Sequence, residues 1–491
     1  MSAWIVGLFT VICQVNDAEG DFNPCPVRLR IRKFDFLYYH PSMMPISTIL
    51  SAALALACML CGSAAHAQLR LPPLQMPQLQ DRLDPLNSGL ARDAGRRLLD
   101  RADAGDLRAL RLDQIGGLLK RHRDVLEPDP RGEPVVRGEI LAWSPSAQGL
   151  AAAQASGLAV LSERELGGGE TMVVLRVAGG QDTAAALAQL RARDPDGAYD
   201  FNHIYTGSGA APQGQTVPAG GMDEAVRSRA AAGTPAASAP IRVGLVDGGV
   251  DRSHDVFRDA AIVPWGCDGA SHPGAHGTAV AALMVGRSAR FQGVAPQAAL
   301  YAADIYCDSG AGGSAARIAA ALAWLAQEQV AVINLSLVGP PNQILERVVA
   351  SMVKRGHLLV AAVGNDGPAA PPLYPASYPG VVGVTGVDRQ GRPLPEAARG
   401  PQVMFAAPGS QMVSAAIGSP PYRTVRGTSF ASPIVAALLA GALPRPAPAA
   451  AQQALAALAR QASGVAANTL SNETGHGVLG ASYRVDPSAF R

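Results

Sequence analysis

At 491 residues the chain is too long for one ordinary domain, and its 48% hydrophobic and 16% charged content is enough apolar material for a large core. A formal net charge of +2, with no basic stripe, excludes nucleic acid as the main partner. Lysine occurs only at Lys33, Lys120 and Lys354 among many arginines, a bias that carries no functional weight.

An apolar run from Ile46 to Gly62 is followed by Ala65-His66-Ala67, small residues at the two positions a signal peptidase reads. The basic residues Arg28, Arg30, Arg32 and Lys33 stand far upstream, so the true start is expected at Met43 or Met44. Residues 1–67 are therefore read as a targeting region cleaved near Ala67, which makes the protein secreted or periplasmic. If the run stayed uncleaved it would be the one link to a membrane. Cys13, Cys25, Cys58 and Cys61 precede the cut. The remaining pair, Cys267 and Cys307, reads as a disulfide in an oxidising compartment, the alternative being two buried free thiols.

Residues 68–134 are rich in Leu and Arg, with Leu98, Leu99, Leu107, Leu110, Leu112, Ile115, Leu118 and Leu119 at near-helical intervals, and read as a helical pro-region. Residues 135–205 read as a small α+β unit. A strand at Val136–Trp143 precedes a helix at Ser146–Ser156, and two strands within Leu158–Val177 break at Gly167-Gly168-Gly169. A second helix, capped by Asp182, runs to Arg193, and a last strand covers Tyr199–Tyr205. Strand, helix, two strands, helix, strand is the ferredoxin-like order. Residues 206–240, rich in Ala, Gly, Pro and Ser, read as an exposed linker and processing region.

From Ile241 the pattern alternates. Strands are expected at Ile241–Val246, Leu300–Ile305, Val330–Leu337, Leu358–Val363 and Val381–Val384, with helices at Ala315–Gln329 and Ile344–Lys354. Such alternation predicts an α/β domain, a parallel sheet with helices on both faces, over 241–485, followed by a tail at 486–491. Working residues then collect beyond the carboxyl ends of the strands. There stand Asp247 after one strand, Asn365 after another, and His276 and Ser429 at helix starts.

Acyl transfer needs these residue types. A serine hydroxyl attacks only if an imidazole takes its proton, and the imidazole needs a carboxylate to fix its tautomer. The tetrahedral oxyanion needs donors already aimed at it, here the Asn365 amide and the Ser429 N–H. The motifs are Leu-Val-Asp-Gly-Gly-Val-Asp at 245–251, His-Gly-Thr-Ala-Val-Ala at 276–281, Ala-Val-Gly-Asn-Asp-Gly at 362–367 and Gly-Thr-Ser-Phe-Ala-Ser-Pro at 427–433. In that order they resemble the subtilisin-like serine peptidases over Ile241 to Ala481.

The resemblance implies a self-processing serine endopeptidase with Asp247, His276 and Ser429 as triad and Asn365 at the oxyanion. It implies substrate contacts at Ser336, Leu337, Val338 and Gly364, polypeptide substrates, and the protein's own propeptide as an intramolecular inhibitor. Asn202-His203-Ile204-Tyr205 is then expected in the cleft, with cleavage after Tyr205 or in the linker. No cofactor or catalytic metal is implied. Calcium is frequent at loops of such enzymes, but no Asp-rich cluster assigns a site. A monomer is the default.

Three positions depart from the family pattern. Gly248 replaces a hydroxyl residue after Asp247, Phe430 replaces Met beside the nucleophile, and Val338 replaces a Gly and would narrow the primary pocket. Pro273 and Gly274 argue against His272 and His276 as a helical zinc pair. A lipase would run Ser, acid, His around a Gly-x-Ser-x-Gly elbow, which this chain lacks. The alternative is an exported, catalytically inactive pseudoprotease that binds peptides.

Overall fold

The computed structural model describes residues 104–208, 241–465 and 470–490, all within the unit Gln78–Arg491. The apolar run at Ile46–Gly62, the cleavage point near Ala67, Cys13, Cys25, Cys58 and Cys61, and residues 209–240 of the linker lie outside them. No described helix is long and apolar enough to cross a membrane.

The chain enters through helix α1 (Ala104–Arg121) and a short strand β1 (Leu126–Pro128). Here the expectation of a helical region running to residue 134 is corrected, because β1 pairs antiparallel with the next strand. Leu107 and Leu118 of α1 are buried, whereas Leu110 and Leu112 remain exposed, so only part of the apolar spacing is used for packing.

The small unit follows as β2 (Pro134–Trp143), α2 (Ala147–Ala155), β3 (Leu158–Gly167), β4 (Glu170–Val177), α3 (Thr183–Arg193) and β5 (Ala198–Gly207). Its strands lie in the order β5-β2-β4-β3, every neighbour antiparallel, which is the ferredoxin-like arrangement. Ser146 caps α2 and Asp182 caps α3, each accepting a backbone N–H of the first turn. Gly167, Gly168 and Gly169 all take positive φ, a turn other residues would resist.

Alternation along the strands then gives the sheet two apolar faces. Ile140, Ala142, Leu175 and Tyr199 pack beneath α2 and α3 with Leu187 and Leu190. Leu141, Met172 and Val174 face the other way, into the next domain.

That domain is built on seven parallel strands in the order β14-β13-β12-β10-β6-β8-β7. In chain order they are β6 (Arg242–Asp247), β7 (Ile262–Trp265), β8 (Ala299–Asp304), β10 (Val332–Leu335), β12 (Leu358–Ala362), β13 (Val382–Val387) and β14 (Val403–Pro408). Two short strands, β9 (Gly313–Ser314) and β11 (Leu337–Val338), lie outside it. The hairpin β15 (Met412–Ala415) and β16 (Tyr422–Val425) follows. Helices α4 (Ala275–Val285), α7 (Ser432–Ala442) and α8 (Pro448–Ala459) cover one face, around Val243 and Leu245. Helices α5 (Ala315–Gln327) and α6 (Gln343–Lys354) cover the other, around Val246, Ile333 and Leu335.

Two expectations need correction. The apolar run Val330–Leu337 is not one strand: the main chain leaves the parallel sheet at Ser336, and β11 pairs antiparallel with β5 instead. Ser336 is held at that bend by its hydroxyl, which accepts from Asn334 Nδ2 (2.8 Å) and donates to the Ser429 carbonyl (2.9 Å). Residues 486–490 are no loose tail either. Phe490 is fully buried, its ring 4.9 Å from that of Tyr422.

The small unit sits on α5 and α6 by capping them. Asn202 Oδ1 accepts from Ala316 N at 3.0 Å, and Asp200 Oδ2 accepts from Gln343 N at 2.7 Å. Helix starts leave N–H groups unpaired, so these two side chains from β5 satisfy donors the next domain cannot. His203, fully buried, contacts Asp129 and Asn342 at the same seam. Asn202 and His203 therefore bind helix starts, and it is the end of β5 that runs on into the cleft.

Candidate active site

Asp247 is the last residue of β6, a central strand, and is buried with 1% exposure. His276 is the second residue of α4, which starts after Gly274. Its Nδ1 lies 2.9 Å from both carboxylate oxygens of Asp247, and Gly248 N donates to Asp247 Oδ1 at 2.7 Å. With Nδ1–H donating to the carboxylate, Nε2 is left as the acceptor. Burial pulls the imidazole pKa down, but the Asp247 charge and its hydrogen bond more than offset this, so the net shift is upward.

Ser429 lies in a 3₁₀ turn, Thr428–Phe430, just ahead of α7, and is fully buried. The turn's next residue, Phe430, packs its ring 5.5 Å from the His276 ring. Ser432, the first residue of α7, hydrogen-bonds Ser336 Oγ at 3.0 Å and so supports the bend. Asn365 follows β12 by way of Val363 and Gly364. Its Oδ1 accepts from Thr428 N at 3.1 Å, and Thr428 Oγ1 in turn accepts from Gly364 N at 3.2 Å. Among the buried polar atoms without a partner are His276 Nε2 and Asn365 Nδ2, the two nearest the serine turn by their neighbours Phe430 and Thr428. Buried polar groups are nearly always satisfied, so an unpartnered acceptor and an unpartnered donor on either side of a serine turn mark where reacting atoms fit.

The structure shows no hydrogen bond between His276 and Ser429. Ser429 Oγ instead bonds the hydroxyl of Ser208, from the end of the small unit, and lies 3.4 Å from the Ser336 carbonyl. Chain is thus present in the cleft beside the serine.

The remaining sequence-marked positions surround it. Ser336, Leu337 and Val338 form the edge that β5 joins. Gly364 faces them, and a Cβ added there would meet Leu373 Cδ1 at 2.5 Å and Val338 Cγ1 at 3.5 Å. Leu373 escaped the sequence reading, since it lies beyond the motif at 362–367. Gly248 lies against Tyr306: a Cβ there would stand 3.3 Å from the Tyr306 ring.

Cys267 and Cys307 stand at disulfide distance, their Cα atoms 5.4 Å apart. Asp304, beside Asp247 in the strand register, accepts from the N–H groups of Tyr306 and Cys307. Burial raises its pKa against those hydrogen bonds. Among the described residues Cys267, Asp304 and Cys307 could approach one metal ion, but joined sulfurs are not thiolates, and we assign no ion.

Comparison with known proteins gives the following likenesses. Residues 239–477 match the Subtilase family. Over 205 residues the chain is 33% identical to Subtilisin E of Bacillus subtilis and to Subtilisin of Bacillus pumilus, in each case 40% of this chain, and 53% and 74% of those proteins. It is 36% identical over 201 residues to Subtilisin Savinase of Lederbergia lenta, covering 73% of it. The chain thus spans about half of Subtilisin E. Fervidolysin of Fervidobacterium pennivorans, a keratinolytic enzyme related to subtilisin, shares the fold at a TM-score of 0.59 and 21% identity, over 74% of this chain and 62% of that one.

Proposed function

Since the chain belongs to the Subtilase family, we propose that it is a serine endopeptidase, exported and made as a zymogen that cuts itself. The observation that carries this reading is the pairing of His276 Nδ1 with Asp247, which leaves Nε2 unpartnered in a site where Asn365 Nδ2 is also unpartnered.

In this reading His276 Nε2 takes the hydroxyl proton as Ser429 Oγ bonds to the substrate carbonyl carbon. Negative charge gathers on the carbonyl oxygen and is met by Asn365 Nδ2 and the Ser429 N–H. As the oxyanion collapses, the C–N bond breaks and imidazolium returns the proton to the departing amine. Water then attacks the ester by the same route, releasing the acid and restoring Ser429. Asp247 does not gain the proton; it stabilises the imidazolium. Phe430 and the buried turn around Ser429 exclude bulk water and strengthen these interactions.

Export is supported by the apolar run at Ile46–Gly62 with Ala65-His66-Ala67 after it, and by the pairing of the two cysteines that remain beyond it. Self-inhibition by the small unit is supported by β5 lying against Ser336–Val338, with Ser208 on Ser429.

The test is intact mass spectrometry of secreted wild type and Ser429→Ala, each treated with a fluorophosphonate. One label on the wild type and none on the variant is the expected result. An unlabelled wild type that keeps its pro-region would make this a peptide-binding pseudoprotease instead.

A further inference from the structure

The end of β5 crosses the cleft as the middle strand of three. On one edge Ile204 and Tyr205 pair antiparallel with Ser314 and Gly313; on the other, Thr206 and Gly207 pair antiparallel with Val338 and Leu337. Ser208 continues this register, its N–H donating to the Ser336 carbonyl at 3.2 Å. Main-chain pairing of this kind fixes which residue stands at which point along the cleft.

Each residue then meets a definite surface. Gly207 lies under the His276 ring, where a Cβ would touch three ring atoms at 3.6 Å. Ser208 is buried, its hydroxyl on Ser429 Oγ. Tyr205 is fully buried: its hydroxyl donates to the Pro340 carbonyl at 2.8 Å, and its ring lies so close to Gly339 that a Cβ there would come within 2.5 Å. Along the edge from Ser336, which holds the Ser208 N–H, Val338 Cγ1 and Leu373 Cδ1 converge over Gly364, and both residues are almost wholly buried. The cleft therefore has a deep aromatic pocket at Tyr205, while the space over Gly364, next to Asn365, is filled.

We propose that the bond cut in self-processing is the one on the carboxyl side of Ser208. We further propose that the same register sets what the processed enzyme accepts, an extended peptide with a small residue at the cut and an aromatic residue three positions before it. The inference rests on the peptidase reading above. Ser429 Oγ bonds to the Ser208 carbonyl carbon, the C–N bond to Gly209 breaks, and the proton held by His276 passes to the Gly209 amine. Water later releases Ser208 as a new carboxylate. Leu373 and Val338 act as specificity-determining residues, since a side chain larger than Ser or Ala would meet them.

The experiment uses the full chain, with fluorophosphonate labelling in every sample so that loss of catalysis is seen separately. Early time points by intact mass are expected to give a fragment ending at Ser208 and one beginning at Gly209, and neither in Ser429→Ala. Ser208→Phe is expected to slow that cut roughly 100-fold, the scale of discrimination a closed apolar pocket supplies, and adding Leu373→Ala to recover at least about ten-fold of it.

A folding-independent arm uses the processed enzyme on the peptide Asn-His-Ile-Tyr-Thr-Gly-Ser-Gly-Ala-Ala and on versions with Phe for Ser or Ala for Tyr. Cleavage after Ser, lost in both substituted peptides, supports the proposal. A labelled enzyme whose first cut lies elsewhere, or which cuts the Phe peptide equally fast, overturns the register and leaves the peptidase standing. A Leu373→Ala enzyme no better on the Phe peptide overturns the pocket assignment. No label and no cut overturns the peptidase reading itself.

Discussion

Arg111 of α1 reaches Asp366, the residue after Asn365, with 3.3 Å between its Nε and the carboxylate, and both side chains are less than one-fifth exposed. Burial raises the Asp366 pKa and the Arg111 charge opposes that rise. Helix α1 thus touches the loop that carries the proposed oxyanion donor. In Ser429→Ala protein, Arg111→Ala leaves a buried carboxylate without its counter-ion. It should cost about 1–3 kcal/mol, between the values for exposed and for buried pairs. Denaturant unfolding measures it, and a change within error would make the contact incidental.

The pairing of His276 with Asp247 fixes the sign of the pH response. The base must be neutral to take the Ser429 proton, and Asp247 holds its pKa above the usual value of about 6.5. Activity should therefore be absent in acid and rise with pH through that elevated value. Asp247→Asn removes what raises the pKa and leaves the burial that lowers it. The midpoint of kcat/KM should move down while the rate falls by about 10⁴-fold. An unchanged midpoint in a folded, slow variant would show that Asp247 does not set the proton affinity.

Much of the candidate site was legible because each residue proposed to react stands where the backbone changes type. Asp247 ends an apolar run, His276 follows Gly274 at a helix start, Asn365 follows Gly364, and Ser429 precedes Pro433. Local chemistry dictates such punctuation, so one sequence displays it. The bend at Ser336 was not legible. Val330–Leu337 holds no Gly or Pro to mark an end, and what ends the strand is the Ser336 hydroxyl, bonded to Asn334 and to the distant Ser429 carbonyl. Leu373 was missed for the same reason, since its role exists only through meeting Val338 over Gly364. The burial of Phe490 likewise depends on Tyr422, and nothing adjacent to Phe490 signals it.

Asn365 gives a prediction of different form. Its Oδ1 is held by Thr428 N, which fixes the amide and leaves Nδ2 buried without a partner. A donor waiting for charge that exists only in the transition state should not affect ground-state binding. Asn365→Ala should lower kcat by about 10²–10³-fold with KM nearly unchanged. A rise in KM at constant kcat would assign Asn365 to substrate binding instead.

The Cys267–Cys307 pair closes a loop with a sequence separation of 40 and anchors the segment that carries Tyr306. Tyr306 lies on Gly248, so the bridge holds a wall of the pocket beside Asp247 where the chain has no hydroxyl side chain to stiffen it. Joining residues that far apart removes unfolded-state entropy, which for a loop of this length corresponds to about 4 kcal/mol. Asp304 fixes the Cys307 end by accepting the N–H groups of Tyr306 and Cys307, but both cysteines take positive φ, 55° at Cys267 and 53° at Cys307, a strain that offsets part of it. Urea unfolding of Ser429→Ala protein, oxidised and then fully reduced, should therefore differ by about 2–4 kcal/mol. The double Cys267→Ala, Cys307→Ala variant should match the reduced form. If it matched the oxidised form instead, the Asp304 hydrogen bonds would be holding the loop without help from the bridge.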